Sequence, residues 1–172
     1  MDPLDRKIIC LLQEDNRLSH AEIGQAVGLS VSATNERVRR LNASGVIRGN
    51  HAVLDAERVG LPLCALVFVD LAPHPDEEGF RAAMAACAEI QEIHQVAGAH
   101  CYLLKIRAPG PRALQRFLAE RLKAQPDVLR TETVIVLETI KETPSLPVAA
   151  AAASTAPSSP PVSGARAEPG EA

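Results

Sequence analysis

A short polar run between Ser30 and Ser44 carries the side chains best suited to recognising DNA. In the major groove, asparagine can pair with adenine and arginine with guanine, and glutamate can accept a hydrogen bond from cytosine. Asn35, Glu36 and Arg39 offer these three chemistries, so we expect them to contact base edges. The complete predicted DNA-binding set is Ser32, Thr34, Asn35, Glu36, Arg37, Arg39, Arg40 and Arg48.

The charge distribution indicates a local patch. The formal net charge is -3, so any contact with nucleic acid must come from one region of the chain. Four of the basic residues, Arg37, Arg39, Arg40 and Arg48, crowd together, with Glu36 nearby. Two alternatives stay open, because charged helix faces are often only solvated, and because Arg37 and Arg40 could hold phosphates or pair with nearby carboxylates.

Three helices are predicted to position this run. Pro3 opens the first, and a capping box from Ser19 to Glu22 opens the second, which Gly28 ends. Ser30 caps the third. Helices two and three form a predicted helix-turn-helix over about residues 20–39, whose second helix would enter the major groove. The predicted inner positions are Leu4, Ile8, Leu11, Leu12, Ile23, Ala26, Val27, Val31, Thr34, Val38 and Leu41.

Residues 46–54 are predicted to form a small hairpin that turns at Gly49 and Asn50. A hairpin directly after the third helix has the position of a wing, and its Arg48 and His51 favour DNA binding over a plain solvated face. The first domain is therefore predicted to be a winged helix-turn-helix over residues 1–58. A hinge follows at residues 59–62, where Gly60 and Pro62 interrupt regular structure.

The second half of the chain alternates strands and helices. The predicted order is βαββαβ, a ferredoxin-like arrangement over residues 63–143, which makes the whole chain α+β. The predicted elements are a strand Leu63–Leu71, a helix Asp76–Ala88, strands Ile90–Val96 and His100–Ala108, a helix Pro111–Ala124 and a strand Leu129–Ile140.

The first and last strands of this domain are apolar on both faces. In the first strand Val67 and Val69 point one way, and Leu66 and Phe68 point the other. Two helices can cover only one face of the sheet, so the other face predicts an interface and a homodimer. Residues 144–172 are rich in Ala, Pro, Ser and Gly and predict a disordered tail.

Other classes of site find little support in the sequence. Cys10, Cys64, Cys87 and Cys101 are widely spaced, so we expect reduced thiols and neither a metal site nor a cofactor. No catalytic constellation stands out, and the chain is not expected to be an enzyme. The N-terminus lacks a signal segment and no apolar run approaches the ~20 residues of a membrane span, which predicts a cytoplasmic protein without membrane contact.

Several stretches resemble the Lrp/AsnC (leucine-responsive, asparagine-responsive) family. They are Leu4-Asp5-Arg6-Lys7-Ile8-Ile9, Val27-Gly28-Leu29-Ser30, Glu36-Arg37-Val38-Arg39-Arg40-Leu41, Gly45-Val46-Ile47, Val96-Ala97-Gly98 and Tyr102-Leu103-Leu104-Lys105. The resemblance covers residues 4–142. It implies dimers that often assemble into octamers, bending or wrapping of double-stranded DNA, and amino acids or related metabolites bound between sensing domains.

The resemblance also places an effector site at the turn after Gly98. The family usually has acidic residues there, whereas this chain reads Gly98-Ala99-His100-Cys101. These four residues, with Thr133, are the predicted effector-binding set. Two alternatives stay open: the residues could only shape the turn, or His100 could bond a carboxylate and Cys101 could respond to oxidants. A metal site formed with His94 is disfavoured by the ligand spacing.

We therefore predict a sequence-specific transcription regulator that responds to an amino acid or a related small metabolite. The alternative is a tetrapyrrole enzyme subunit similar to sirohaem decarboxylases, which resemble this family in both domains. The polar, arginine-bearing third helix favours the regulator. A ligand-binding module without DNA contact is a third possibility, and a gel shift would separate it from the first.

Overall fold

The computed structural model describes residues 1–148. The described chain divides into two compact units, one formed by residues 1–51 and 143–148, the other by residues 52–142. The first unit contains α1 (Pro3–Glu14), α2 (His20–Val27) and α3 (Val31–Ala43). The second contains β1 (Leu63–Leu71), α4 (Glu77–Ala85), β2 (Ile90–Gln95), β3 (Tyr102–Ala108), α5 (Pro111–Phe117), a π-helical turn (Leu118–Leu122) and β4 (Val128–Val136).

The helices of the first unit begin and end where local chemistry dictates. At α1, the Asp2 carboxylate accepts from the Asp5 N–H, and the Asp5 carboxylate accepts from the Asp2 N–H. Ser19 and Glu22 form the same reciprocal box at α2. Gly28 ends α2 at φ +75°, a left-handed conformation that glycine adopts without steric cost. The predicted start of each helix is confirmed.

A small apolar core joins the three helices. Ile8, Ile9, Ile23 and Leu41 are buried together, and Leu11, Leu12, Val27 and Val38 pack around them. Of the predicted inner positions, those that meet in this cluster are Ile8, Leu11, Leu12, Ile23, Val27, Val38 and Leu41. Two others are wrong as inner positions, because Ala26 is exposed and Val31 is 54% exposed. Val31 is the first residue of α3, where a side chain has no preceding helical turn to pack against.

The prediction of a hairpin over residues 46–54 is wrong. The structure has no strand in that segment. Gly45 turns the chain at φ +72°, and the Ile47 N–H donates to the Leu41 carbonyl, which folds the chain back onto α3. Val53 and Leu54 are 84% and 68% exposed. An isolated pair of short strands without an apolar face to bury is marginal in water, so the turn signal alone does not produce a hairpin.

The second unit is a four-stranded antiparallel sheet in the order β2-β3-β1-β4 with helices on one face. The predicted βαββαβ order is confirmed. The buried core between sheet and helices comprises Ala65, Val67, Val69, Phe80, Met84, Tyr102, Leu104, Ile106, Ala108, Leu114, Phe117 and Leu122.

Some boundaries of the predicted elements are wrong. In the second unit, the predicted helix Asp76–Ala88 stops at Ala85. The predicted helix Pro111–Ala124 is α-helical only to Phe117, where its π-helical turn begins. His100 lies in a turn, so β3 starts at Tyr102. The last strand stops at Val136 instead of Ile140, because its partner β1 runs out where Cys64 pairs with Val136. Beyond Val136 the chain has no residue of β1 left to pair with.

The other face of the sheet carries no helix. Register places Leu66 beside Val134 and Phe68 beside Glu132 on this uncovered face. Val134 is 43% exposed, and on the opposite face of edge strand β4 Ile135 is 44% exposed. The predicted two-sided apolar character of β1 and β4 is therefore observed.

The segment just after the second unit is ordered by contacts with the first. The Leu146 N–H donates to the Gln13 side-chain oxygen at 2.7 Å, and Gln13 Nε2 donates back to the Leu146 carbonyl at 3.1 Å. Val148 packs against the apolar core of the first unit. The prediction that disorder begins at residue 144 is thus wrong for residues 144–148, and the remainder of that prediction lies outside the described residues. No helix among residues 1–148 is long and apolar enough to cross a membrane.

Candidate DNA-binding and effector sites

The outward face of α3 carries four of the eight predicted DNA-binding residues. Ser32, Asn35, Glu36 and Arg39 recur at the spacing of one helix face, and all four are exposed. Ser30 caps this helix, accepting from the Ala33 N–H at 3.2 Å. This face of α3 therefore presents an amide, a carboxylate and a guanidinium to solvent. Arg48, after the helix, is also exposed.

Arg39 is paired with Glu36 on the free protein. Its Nη2 lies 2.9 Å from Oε1 of Glu36, and hydrogen bonding from Arg39 lowers the pKa of the Glu36 carboxyl. The two side chains are 74% and 62% exposed. Exposed pairs of this kind contribute only about 0–1 kcal/mol, so Arg39 can exchange Glu36 for a base or a phosphate at little cost.

Arg37 is held by carboxylates of α1. Its Nη1 lies 2.5 Å from Oδ2 of Asp2 and 2.7 Å from Oδ1 of Asp5, whose side chain is 5% exposed. Burial acts to raise the pKa of Asp5, but the hydrogen bonds from Arg37 and the Asp2 N–H outweigh it and lower the pKa. Arg37 is thus engaged in joining α3 to α1. Arg40 shares Asp5 at 3.2 Å but remains 58% exposed.

Thr34 does not face solvent, which corrects its place in the DNA-binding set. Its side chain is completely buried, and its hydroxyl donates to the Ser30 carbonyl at 3.0 Å. It packs against Gly24 of α2, where an added Cβ would lie 2.9 Å from Thr34 Oγ1. Thr34 therefore sets how closely α2 and α3 approach.

The predicted effector turn joins β2 to β3. The Val96 N–H donates to the Cys101 carbonyl at 3.0 Å, and the Cys101 N–H donates to the Val69 carbonyl of β1 at 3.1 Å. Gly98 has φ +156°, while Ala99 and Cys101 are exposed. The turn is thus pinned beside the end of β1, and its own side chains include no carboxylate.

His100 connects this turn to the uncovered sheet face. Its Nδ1 lies 3.1 Å from Oδ1 of Asp70 on β1, and its Nε2 lies 3.8 Å from Oε2 of Glu132 on β4. Its ring also lies against Phe68, with 4.9 Å between ring centroids. The sequence reasoning missed Asp70 and Glu132. Only the strand register, in which Phe68 pairs with Glu132, could have placed them together.

Thr133 is not brought together with His100 on one face. Thr133 pairs with Val67, whose side chain is in the core, whereas the adjacent Glu132 pairs with Phe68 on the uncovered face. Successive residues of a strand point to opposite faces, so Thr133 and the His100 imidazole lie on different sides of the sheet.

The remaining histidine considered for a metal site is engaged elsewhere. His94 Nε2 lies 3.0 Å from Glu92 Oε2 on β2. Among residues 1–148, no group of three or more His, Cys, Asp or Glu side chains is arranged to hold a metal ion.

Comparison with known proteins matches both units. The model described as "Winged helix-turn-helix DNA-binding" matches residues 1–48, and the "Lrp/AsnC ligand binding domain" matches residues 64–146. The chain is 41% identical over 146 residues to the leucine-responsive regulatory protein of Salmonella typhimurium, covering 83% of this chain and 88% of that protein. It is 36% identical over 145 residues to the proline dehydrogenase transcriptional activator of Rhizobium radiobacter, covering 83% and 93%.

Solved structures agree. A transcriptional regulator from Neisseria meningitidis, solved as an L-Met complex, superposes with a TM-score of 0.82 at 32% identity, covering 86% of this chain and 97% of that one. An AsnC family transcriptional regulator from Agrobacterium tumefaciens gives a TM-score of 0.81 at 32% identity, covering 87% and 99%.

The fold and the comparisons define the class: a transcriptional regulator with a helix-turn-helix DNA-binding domain and an amino-acid ligand-binding domain. The chain belongs to the Lrp/AsnC family. The matched relatives are regulators rather than enzymes, and the alternative of a tetrapyrrole enzyme subunit finds no support among them.

Proposed function

We propose that this protein binds specific sites on double-stranded DNA through the outward face of α3. The carrying observation is that Ser32, Asn35, Glu36 and Arg39 share one exposed face on the second helix of the helix-turn-helix. Asn35 and Arg39 would read base edges, and Arg40 and Arg48 would contact phosphates. Because this partner is chromosomal DNA, we place the protein's action in the cytoplasm.

We further propose that an amino acid changes the affinity for DNA or the assembly state. A leucine-responsive protein, a proline dehydrogenase activator and an L-Met complex are among the relatives, so L-leucine, L-methionine and L-proline are the first candidates. The turn of Gly98, Ala99, His100 and Cys101 supports a site near the end of β1. An effector acts only if it binds one state better than the other.

A homodimer that covers the free sheet face is the third part of the proposal, and octamers would form from such dimers. Leu66, Phe68 and Val134 lie on that face, and Val134 is 43% exposed. Apolar surface of this kind on a sheet favours burial against another protein.

DNA binding is tested by a gel shift with the region upstream of the protein's own gene and a scrambled fragment of equal length. We expect selective retardation of the native fragment and its loss in Asn35→Ala. The matched control is Asn42→Ala, which removes an amide that donates to Val38 within α3. Equal retardation of both fragments by the wild type would contradict sequence-specific binding.

Assembly is tested by light scattering at micromolar concentration with and without each candidate amino acid. We expect a dimer or a multiple of it, and a smaller species for Val134→Glu, which places a charge on the uncovered face. Gln115→Glu on α5 introduces the same charge on the opposite side of the sheet and should leave the mass unchanged. A monomeric wild type would refute the proposed dimer.

A further inference from the structure

The second helical segment of the second unit carries a concentration of positive charge. The chain has a formal net charge of -3, yet residues 111–124 contain four basic residues and one acidic residue, Glu120. Arg112, Arg116 and Arg121 are all exposed. The lysine and arginine side chains of the second unit that form ion pairs are Arg58, Arg81, Lys105, Arg107 and Arg130. Within residues 1–148, the other three guanidinium groups have no carboxylate partner.

The helical geometry places these three arginines in one row. Arg112 and Arg116 are four residues apart in α5, so they are neighbours on one face. The next turn is π-helical, and in it the Lys123 N–H donates to the Leu118 carbonyl five residues earlier. A π-helical turn holds one residue more than an α-helical turn, so the residue one turn beyond Arg116 is Arg121 instead of Glu120. We call Arg112, Arg116 and Arg121 the arginine stripe.

The arginine stripe faces away from the uncovered sheet face. The same segment packs Leu114, Phe117 and Leu122 into the core between helices and sheet, so its exposed side chains point outward from the helix layer. A dimer formed through the uncovered face would leave the stripe accessible. The helix dipole does not account for the stripe, because Arg112 lies in the first turn of α5, where a cation is disfavoured.

Double-stranded DNA is a polyanion that fits this stripe, and the first unit is a DNA-binding domain. The stripe extends about 13 Å along the helix axis, a length over which a duplex carries about eight phosphate charges. A guanidinium group can bind a phosphate through two parallel hydrogen bonds. Because the first unit already holds DNA, a second contact from the same chain is intramolecular and adds to the affinity even when it is weak by itself.

We propose that Arg112, Arg116 and Arg121 bind phosphates of double-stranded DNA outside the site that α3 reads. The inference goes beyond the proposed function, which places the DNA contacts on the first unit. Phosphates carry no sequence information, so the stripe strengthens binding to any duplex by the same factor. Neutralising phosphates also releases counterions, which makes this contribution fall as the salt concentration rises.

The experiment is fluorescence anisotropy of the full chain with the region upstream of its own gene and with the scrambled fragment, at salt concentrations from 50 to 200 mM. For the triple variant Arg112→Ala, Arg116→Ala and Arg121→Ala we expect affinity to fall at least about tenfold, by the same factor on both fragments. The slope of log affinity against log salt should become shallower by about 2–3, the value of three phosphate contacts. Alanine is a strong helix former, so the thermal midpoint should not fall.

The matched control removes three positive charges from other exposed positions of the second unit, in the variant Arg58→Ala, Lys123→Ala and Lys141→Ala. Lys123 lies in the same helical segment but lines a groove with Leu114 and Leu118. This variant should keep the wild-type slope. Glu120→Gln removes the one acidic side chain of the segment and should tighten binding to both fragments about twofold, because repulsion of phosphates is lost. A gain in affinity does not arise from misfolding.

The outcomes separate this inference from the proposed function. If the wild type binds neither fragment, DNA binding by the protein fails and the role of the stripe fails with it. If the wild type binds DNA but the triple variant keeps the wild-type slope, or weakens on the native fragment alone, the inference alone is overturned. An equal loss in the control variant would assign the effect to net charge, and a changed mass of the triple variant in light scattering would assign the stripe to contacts between copies of the chain. Either result also overturns the inference.

Discussion

Arg37 of α3 is bonded to Asp5 of α1, with 2.7 Å between Nη1 and Oδ1. The Asp5 side chain is 5% exposed and Arg37 24%, so this contact is largely shielded from water. Removing one partner of a buried ion pair leaves the other charge uncompensated. We expect Arg37→Ala to destabilise the first unit by about 2–3 kcal/mol, less than a fully buried pair because Arg37 is partly exposed.

The measurement is hydrogen exchange of peptides from residues 1–51 in the full chain. Arg39→Ala removes an equally charged but 74% exposed side chain and should leave protection unchanged, as the usual value of exposed pairs implies. Unaltered protection in Arg37→Ala would show that the contact with Asp5 does not hold the helices together.

The same cluster predicts sensitivity to acid. The pKa of Asp5 is lowered from its ordinary 3.8, because the hydrogen bonds from Arg37 and Asp2 outweigh the effect of burial, and that of Asp2 is lowered by the Asp5 N–H and then by Arg37. A carboxyl whose folded pKa is lowered stabilises the fold above its unfolded pKa and loses that contribution as pH falls through the folded value.

The protection of residues 1–51 from hydrogen exchange should therefore persist above about pH 5 and decline as the pH falls below 3.8, the ordinary pKa of an aspartate. Asp5→Asn should be less stable at neutral pH and show a shallower decline in acid, measured by the same exchange experiment from pH 7 to pH 3. A decline of equal steepness in Asp5→Asn would assign the acid sensitivity to other groups.

The sequence was informative where local chemistry decides the structure. Caps such as Ser19 and the apolar spacing around Ile8 and Ile23 act within a few residues, and they predicted the three helices. Strand alternation in β1 predicted both the covered and the uncovered face.

Features that depend on distant partners could not be predicted in this way. Thr34 suits DNA by its type, but its orientation toward Gly24 is set by how α2 and α3 pack. The pairing of His100 with Asp70 and Glu132 requires the strand register, and the hydrogen bonds between Leu146 and Gln13 span 133 residues. Gly49 and Asn50 predicted a hairpin that no apolar face supports.

Gly24 sets the close approach of α2 to the connection before α3. A Cβ there would lie 2.7 Å from the Leu29 carbonyl oxygen and 2.9 Å from Thr34 Oγ1. Alanine in a helix interior ordinarily stabilises by up to about 1 kcal/mol relative to glycine. Here the overlap with backbone reverses the sign, and we expect Gly24→Ala to destabilise the unit by about 1–3 kcal/mol and to weaken DNA binding.

Thermal unfolding and the gel shift measure these two effects. Gly110→Ala is the matched control, because an added Cβ there meets nothing within 4 Å and its φ of 171° suits any residue. A stabilised Gly24→Ala variant would show that the α2–α3 contact can open without cost.

On the free protein Glu36 binds the Arg39 guanidinium, and DNA would have to compete with Glu36 for it. Arg39→Ala should cost about 1–3 kcal/mol on the specific site and relax discrimination there, because the proposed bidentate contact with guanine would be lost. Fluorescence anisotropy with specific and scrambled duplexes measures the loss. Arg58→Ala removes the same charge from the second unit and should have little effect. Equal losses on both duplexes would make Arg39 a phosphate contact.

The hydrogen bonds between Gln13 and Leu146 make the chain after the sensing domain part of the first unit. Gln13 offers Leu146 both a donor and an acceptor, as a neighbouring strand would, and Val148 adds apolar contact with the helical core. The net contribution of one hydrogen bond to the free energy of unfolding is about 0.5–1.5 kcal/mol. We expect Gln13→Ala to lower the stability of residues 1–51 by about 1–2 kcal/mol, read from hydrogen exchange. Gln125→Ala, whose amide donates to Arg121 in the second unit, is the matched control.

Truncation after Glu142 should reproduce the Gln13→Ala loss and add to it the loss of the Val148 contact. A truncated chain with unchanged protection at α1 would show that the segment from Thr143 to Val148 contributes nothing to the DNA-binding unit.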